Sequence, residues 1–320
     1  MFLHNYTLAV IIPVFNAEKY LYTTLKSLIE NITNDIRIII INDGSTDNSL
    51  NICKEFSQKV SGINIISQKN EGPSAARNAA LANVKEKYVT FLDADDAYEP
   101  KTLKSACNYL ADNPTDVLFL QVKRITVKKK TTYTVKFDNI EKKTGAEVQR
   151  LWCHGDKRIC GYSWGKIYNR NLLEGIQFPQ NMRFAEDMYF LTDIIAKIQN
   201  AVFFSKGSYH YYERMGTPTT SEWTAEKSRQ LQKAYIHRWD MARNMQLPLF
   251  DQIAAWRQCL DLFVAECKSF PKSDWIASYS DKIMHHSYSW MQLVKNSGDL
   301  RRGICMLKNL LLTKFLNYKN

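Results

Sequence analysis

The residues of this chain best suited to chemistry are acidic and fall in tight groups. Asp93-Ala94-Asp95-Asp96 places three carboxylates within four residues. Such a group repels itself at neutral pH unless a cation neutralises it. Hard oxygen ligands suit Mg²⁺ or Mn²⁺, which take few protein carboxylates and complete their shell with phosphate oxygens and water. A second group, Asn42-Asp43-Gly44-Ser45-Thr46-Asp47, mixes amide, carboxylate and hydroxyl. Alone it reads as a turn in which Ser45 or Thr46 caps the next helix. Beside the acidic group, Asp43 becomes an acceptor for a base or ribose donor. Between the two lies Asn70-Glu71-Gly72-Pro73-Ser74-Ala75-Ala76-Arg77-Asn78. Gly72 permits a tight turn there, and Ser74 sits at a helix start, where free N–H groups favour negative ligands. Arg77, one turn in, can either reach a phosphate or brace the acidic loop.

The elements that must hold these groups are legible around them. Short β-rich runs occur at Leu8–Val14, Ile36–Ile41, Ile63–Ser67, Tyr88–Leu92 and Val117–Val122. Helical stretches lie between them at Ala17–Asn31, Asp47–Val60, Pro73–Val84 and Pro100–Ala111. Near-continuous apolar strands such as Ile38-Ile39-Ile40-Ile41 suit a sheet covered on both faces. Alternation of strand and helix predicts an α/β fold with a mainly parallel, doubly wound sheet. Ligands of such sheets collect beyond the carboxyl ends of the strands. Strand one ends there in Pro13-Val14-Phe15-Asn16, strand two in Asn42–Asp47 and strand four in Asp93–Asp96. The three polar clusters therefore converge on one edge.

From Gln121 to Phe137 two alternating runs flank Lys128-Lys129-Lys130, a basic hairpin; Thr144 to Arg214 is mixed and aromatic, and the chain turns helical after Ser221. Composition sets the outer bounds. With 320 residues, 45% of them hydrophobic and 23% charged, the chain can bury a large core. Its net charge of +11 favours acidic partners: nucleic acid, anionic membrane or phosphorylated small molecules. An acidic cluster in the crevice opposes nucleic acid, whose phosphate backbone would have to pass it. The seven scattered cysteines lack Cys-x-x-Cys spacing and read as reduced structural thiols. No basic leader precedes a long apolar run, and no run approaches the roughly 20 residues that span a bilayer, so a cytoplasmic location is expected.

Taken in order, Val10–Asn16, Ile41–Asp47, Asn70-x-Gly72 with Ala76-Arg77-Asn78, and Leu92–Asp96 resemble the motif series of family 2 glycosyltransferases. The resemblance covers roughly residues 7–215 and implies the GT-A fold. It implies nucleotide-sugar binding by about residues 1–120, an acceptor side over about 121–215, and a helical C-terminal extension over 216–320. Pro13, Val14 and Asn16 would line the nucleoside pocket with Asn70, Gly72 and Arg77, and Asp43 would bind the base. Asp93 and Ala94 would meet the ribose–metal region, and Asp95, with Asp93, would ligate Mn²⁺ or Mg²⁺ bridging the diphosphate. Ser163-Trp164-Gly165-Lys166 is similar to a family segment before the acceptor site, and Phe184-Ala185-Glu186-Asp187 to its Glu-Asp motif. Asp187 would then be the general base. Trp164, Lys166, Glu186 and Asp96 would contact sugar or acceptor, Asp96 otherwise bracing Arg77. His210 and Arg214, in a Tyr- and Arg-rich stretch, would meet metal or phosphate, or else form a buried histidine and a surface pair.

The chemistry is consistent. A sugar hydroxyl is a poor nucleophile until a carboxylate takes its proton, while a metal offsets the charge on the departing diphosphate. Base and leaving group on opposite faces imply inversion. The implied partners are a nucleotide-sugar, UDP-linked, and a glycan or glycolipid acceptor such as lipopolysaccharide, capsule or a lipid-linked oligosaccharide. A processive synthase would show spanning helices and Gln-x-x-Arg-Trp, but Tyr235 stands where that glutamine belongs before Arg238-Trp239. The other reading is a non-catalytic nucleotide-binding scaffold of the same fold. Finally, Leu300, Ile304, Leu307, Leu311, Phe315 and Tyr318 fall at helical steps among basic residues. That pattern suits either peripheral contact with an anionic membrane or packing on the chain's own domain.

Overall fold

The computed structural model describes residues 7–128, 130–217 and 220–269. The C-terminal amphipathic pattern at Leu300–Tyr318 and Lys129 of the basic hairpin lie outside them. Two compact units form: residues 1–149 with 156–221, and residues 150–155 with 222–320.

The first unit is built on one ten-stranded sheet. Its strands are β1 (Leu8–Val14), β2 (Ile36–Asp43), β3 (Ile63–Gln68), β4 (Tyr88–Phe91), β5 (Ala97–Tyr98), β6 (Val117–Ile125), β7 (Thr131–Val135), β8 (Glu141–Thr144), β9 (Lys166–Asn169) and β10 (Asn200–Tyr212). The main path runs β3-β2-β1-β4-β9-β6-β10-β5, with β7 added on β6 and β8 on β10. The first four positions are all parallel. Ile38, Ile39, Ile40 and Ile41 of β2 are at most 1% exposed, so both faces of this strand are covered, as their unbroken apolar run requires.

Covering it are α1 (Glu18–Ile29), α2 (Ser49–Lys59), α3 (Pro73–Leu81), α4 (Thr102–Asp112), α5 (Gly145–Cys153) and α6 (Glu186–Lys197). Helix α1 buries Leu21, Thr24, Leu25 and Leu28, spaced at three and four residues, which form one face of a 3.6-residue repeat. The connections at β1–α1, β2–α2 and after β4 all leave the carboxyl edge, and the fold thereby gathers the three polar clusters.

Beyond β4 the order departs from a purely parallel sheet. Strand β9 is antiparallel to both β4 and β6, while β10 returns parallel to β6. Strand β5 is only two residues long and pairs with β10 across Tyr209↔Tyr98 and His210↔Ala97. The basic hairpin exists as β6–β7.

In the second unit, α7 (Ala225–Asn244) and α8 (Leu249–Ser269) pack on each other. Trp239 and Trp256 are fully buried there. Arg238 lies over the rings of Trp152 and Tyr235 and donates to the Trp152 carbonyl and the Gln258 side chain. The Arg-Trp pair at 238–239 thus belongs to a helical core. Among the described residues no helix is long and apolar enough to cross a membrane.

Candidate active site

Asp93, Asp95 and Asp96 follow β4 directly, but the backbone sends them to different partners. The Asp96 amide donates to the Asp93 carbonyl at 3.1 Å, closing a turn that points Asp96 inward. Asp96 is 2% exposed, and its carboxylate accepts from the Tyr209 hydroxyl at 2.7 Å and the Tyr212 amide at 2.9 Å. Asp96 therefore neither braces Arg77 nor meets a sugar, contrary to the sequence expectation; it bolts the acidic loop to β10. Ala94 is 8% exposed, and its carbonyl accepts from Thr24 at 2.9 Å. Asp95 is the member left open: among the described residues no side chain donates to its carboxylate. Burial, and then the neighbouring Asp93 charge, push its pKa up to about 6 despite Arg214. Burial likewise raises Asp96 well above the usual carboxylate range.

Arg77 is the hub. Helix α3 carries it into the protein, 4% exposed, where its guanidinium meets Asp93 at 3.0 Å, Glu186 at 3.3 Å and Asp187 at 3.4 Å. Its carbon lies 5.2 Å from the centre of the Phe178 ring. Phe178 is fixed in turn by Asn78, which donates to its carbonyl and accepts from its amide. One rigid cation thus links the loop after β4 to the first turn of α6. That turn begins at Ala185, which adopts φ +59°. This left-handed conformation costs a non-glycine residue about 1–2 kcal/mol and aims the next two side chains at Arg77.

Burial, and then Asp187, raise Glu186 from 4.5 to about 7, against the pull of Arg77. A carboxyl with a raised folded pKa contributes its full stability below the unfolded value and loses it as pH rises through the folded one. Glu186→Gln should therefore raise the melting temperature by about 2–8 °C at pH 8 and leave it nearly unchanged at pH 5. Thermal unfolding at the two pH values reads this directly, and equal shifts at both would refute it.

The second polar cluster is largely structural. Asp43, 3% exposed, accepts from the Gln68 side chain at 2.9 Å and from the Glu71 and Gly72 amides at 3.0 and 2.8 Å. Three of its roughly four acceptor positions are used, so it shapes the Asn70–Pro73 turn and keeps about one for a ligand donor. Gly44 has φ +70°, and a Cβ there would stand 2.7 Å from the Asn70 amide; that close backbone approach requires glycine. Asn16, at φ +48°, accepts from the Thr46 amide at 2.8 Å, tying the β1–α1 and β2–α2 loops together. Val14 is 1% exposed and faces the core, not a ligand. The exposed apolar surface at this strand end belongs to Phe15, 47% exposed, within the Pro13–Asn16 stretch that the resemblance assigns to the nucleoside pocket.

On the acceptor side the structure also redistributes roles. Trp164 is 4% exposed and Lys166 1%. The Lys166 ammonium donates to the carbonyls of Cys160 at 3.0 Å and Tyr162 at 2.6 Å, holding the loop before β9 closed. Neither residue is positioned to touch an acceptor. Arg214 joins the acidic loop, donating to the Asp95 carbonyl at 3.1 Å and lying 4.2 Å from the Tyr20 ring centre. Its Nε is buried without a hydrogen-bond partner. His210 alternates to the other face of β10 from Tyr209, beside Lys123 and Glu99. Burial first, then Lys123, lower its pKa, and its backbone pairs with Ala97, the residue after Asp96.

These residues fit a divalent cation in one specific way. Among the described residues no group of three or more His, Cys, Asp or Glu forms a complete cation cage. Mg²⁺ and Mn²⁺ bound with a nucleotide need only one or two carboxylates, the phosphates supplying other ligands. The open Asp95 carboxylate would be such a donor, and Asp93 would offer the oxygen not used by Arg77.

A sheet whose parallel half carries an acidic loop at its carboxyl edge, facing a second acidic pair across a buried arginine, is the GT-A arrangement of nucleotide-sugar enzymes. The family model "Glycosyl transferase family 2" matches residues 9–175, and the chain belongs to that family. It is 31% identical over 289 residues to glycosyltransferase GlyA of Streptococcus pneumoniae, covering 86% of this chain and 40% of GlyA. The chain thus spans less than half the length of that relative. It is 27% identical to the cholesterol galactosyltransferase of Borreliella burgdorferi, over 89% of this chain and 81% of the relative. The structure of residues 1–349 of TarS from Staphylococcus aureus, in complex with UDP-GlcNAc, superposes with a TM-score of 0.61 at 22% identity, over 81% of each chain.

Proposed function

We propose that the chain is an inverting, metal-dependent glycosyltransferase that moves a single hexose or N-acetylhexosamine from a UDP-linked donor to a hydroxyl of a surface glycan. The acceptor is of the lipopolysaccharide, capsule or lipid-linked oligosaccharide type, met at an anionic membrane surface. One observation carries the reading: Arg77 fixes Asp93, on the donor side, and Asp187, on the other, to a single guanidinium. Relatives named as glycosyltransferases, and the UDP-GlcNAc complex of a structural neighbour, support the donor class.

In this reading Asp187 accepts the proton of the attacking hydroxyl as the new bond forms at the anomeric carbon, from the side opposite the departing diphosphate. Asp95 and Asp93 would hold Mg²⁺ or Mn²⁺, which supplies Lewis-acid stabilisation of the diphosphate. Arg214, whose guanidinium stands beside Asp95, would offer its charge to a phosphate oxygen. The raised pKa of Asp95 gives the reading a proton signature. A ligating carboxylate must be ionised, so cation loading below about pH 6 must expel a proton.

Calorimetric titration with UDP should accordingly show binding only with Mg²⁺ or Mn²⁺. The affinity should rise with pH through about 6 and level off above pH 7. Asp95→Ala should remove both the metal requirement and the pH dependence. Tight UDP binding in EDTA, or an affinity flat from pH 5 to 8, would defeat the metal assignment.

A further inference from the structure

Four aromatic rings lie nearly parallel beside the acidic pair. Tyr209 and Tyr211, two residues apart on β10, share one face of the sheet. Trp164 stacks on both, at 4.6 Å and 8° on Tyr209 and at 5.5 Å and 10° on Tyr211. Tyr162 then stacks on Trp164 at 4.4 Å and 8°. The inner layers are buried, Tyr209 at 0% and Trp164 at 4%, whereas the outermost ring, Tyr162, is 40% exposed. The stack therefore runs from the buried core out to solvent at Tyr162.

That outer ring is unusually fixed. Its carbonyl accepts the short hydrogen bond from buried Lys166, so the backbone beneath it is anchored. Its foundation continues through Tyr209, whose hydroxyl donates to Asp96 and accepts from the Asp93 amide. Partial burial, then the nearby Tyr211, Cys160 and Asp187, push the Tyr162 phenol up to about 12, which sets the ring within electrostatic reach of Asp187. A rigid, pre-positioned aromatic face binds with little loss of side-chain entropy. A pyranose presents such a ring with a patch of C–H groups on one face and hydroxyls around its rim, which suits an apolar surface edged by polar groups.

We propose that Tyr162 is the acceptor platform: a saccharide ring of the acceptor stacks on its outer face and thereby presents a hydroxyl to Asp187. This deepens the glycosyltransferase reading and rests on it. Trp164 and Lys166 act beneath the platform as positioning residues, which explains why a surface-facing function is served by two buried side chains.

The test uses the full chain loaded with UDP and Mg²⁺, with methyl glycosides of glucose, galactose and N-acetylglucosamine as probes. Saturation-transfer NMR reports saccharide binding, and calorimetry reports UDP binding separately. Tyr162→Ala should weaken the best methyl glycoside about tenfold or more. Tyr162→Phe and Tyr162→Trp, which keep a flat face, should stay within about threefold of the parent. UDP affinity and melting temperature should hold in all three, which separates a lost platform from a collapsed loop. A Tyr162→Ala protein that binds methyl glycosides as well as the parent overturns the platform. So does a parent that binds UDP but none of the glycosides. A parent that fails to bind UDP under any metal condition overturns the transferase reading and the platform with it.

Discussion

Asp187→Asn should lower the rate of sugar transfer by about 10²–10⁴-fold, the usual worth of a positioned general base, while leaving UDP affinity and fold intact. The amide matches the carboxylate in size and can still accept from Arg77, so the 3.4 Å contact survives in weakened form. What it loses is the capacity to take a proton. Glu186 cannot substitute: it lies beside Asp187 on the same helical turn, is drawn to Arg77 at 3.3 Å, and is held protonated up to about pH 7 by burial first and Asp187 second. The measurement is kcat against UDP affinity on one preparation. A variant that keeps more than a tenth of parental kcat would remove Asp187 from the role of base. A parallel loss of UDP binding would assign it to the donor side.

Arg77→Met should damage the fold itself, by about 3–5 kcal/mol, the cost of leaving buried charge without its partner. Burial works against the guanidinium, yet Asp187, Asp93 and Glu186 together hold its pKa above the ordinary value. Removing it leaves these three acids facing one another within a largely buried site. Lysine is no remedy: a point-like ammonium cannot bridge three carboxylates on two elements as a planar fork does. Arg77→Lys should therefore recover less than half of the lost stability. Urea unfolding at pH 7.5 measures both variants, and a methionine variant within 1 kcal/mol of the parent would contradict the hub. The loss should shrink at pH 5, where Glu186 carries its proton without penalty.

Much of this arrangement was readable before any coordinates. Strands β1 to β4 and the helices between them lie within a few residues of their sequence bounds, because unbroken apolar runs and helical spacing are local signals. Strands β5, β9 and β10 are not local objects. Strand β5 is two residues stabilised by a partner more than 100 positions away. Strand β9 opens on a buried lysine, which no hydrophobic pattern anticipates. Strand β10 is interrupted by a bulge between Phe204 and Ser208, so its alternation slips at Lys206-Gly207.

The site divides the same way. Asp93, Asp95, Arg77, Glu186 and Asp187 were named from motif chemistry, and the fold brings them together. Asp96 looks identical to its neighbours in sequence, and only the turn through the Asp93 carbonyl directs it inward. Asp43 looked like a ligand because a carboxylate at a strand end is free until its loop partners are known. Tyr162 has no signal in the sequence because exposure is a property of the fold, not of the segment. Trp164 and Lys166 stand out through the family resemblance as acceptor contacts, whereas the fold buries both.

The antiparallel insertion of β9 has a further consequence for how such a chain is assembled and how it can change. The parallel donor half does not end in a free edge: its last strand, β4, is completed by residues 166–169, and β5 waits for residues 209–210. The ribosome must therefore release most of the first unit before its sheet can close, a long-range pairing of the kind that slows folding and leaves strand edges exposed meanwhile. It also couples the two halves, since β4 keeps its second neighbour only while residues 166–169 stay beside it.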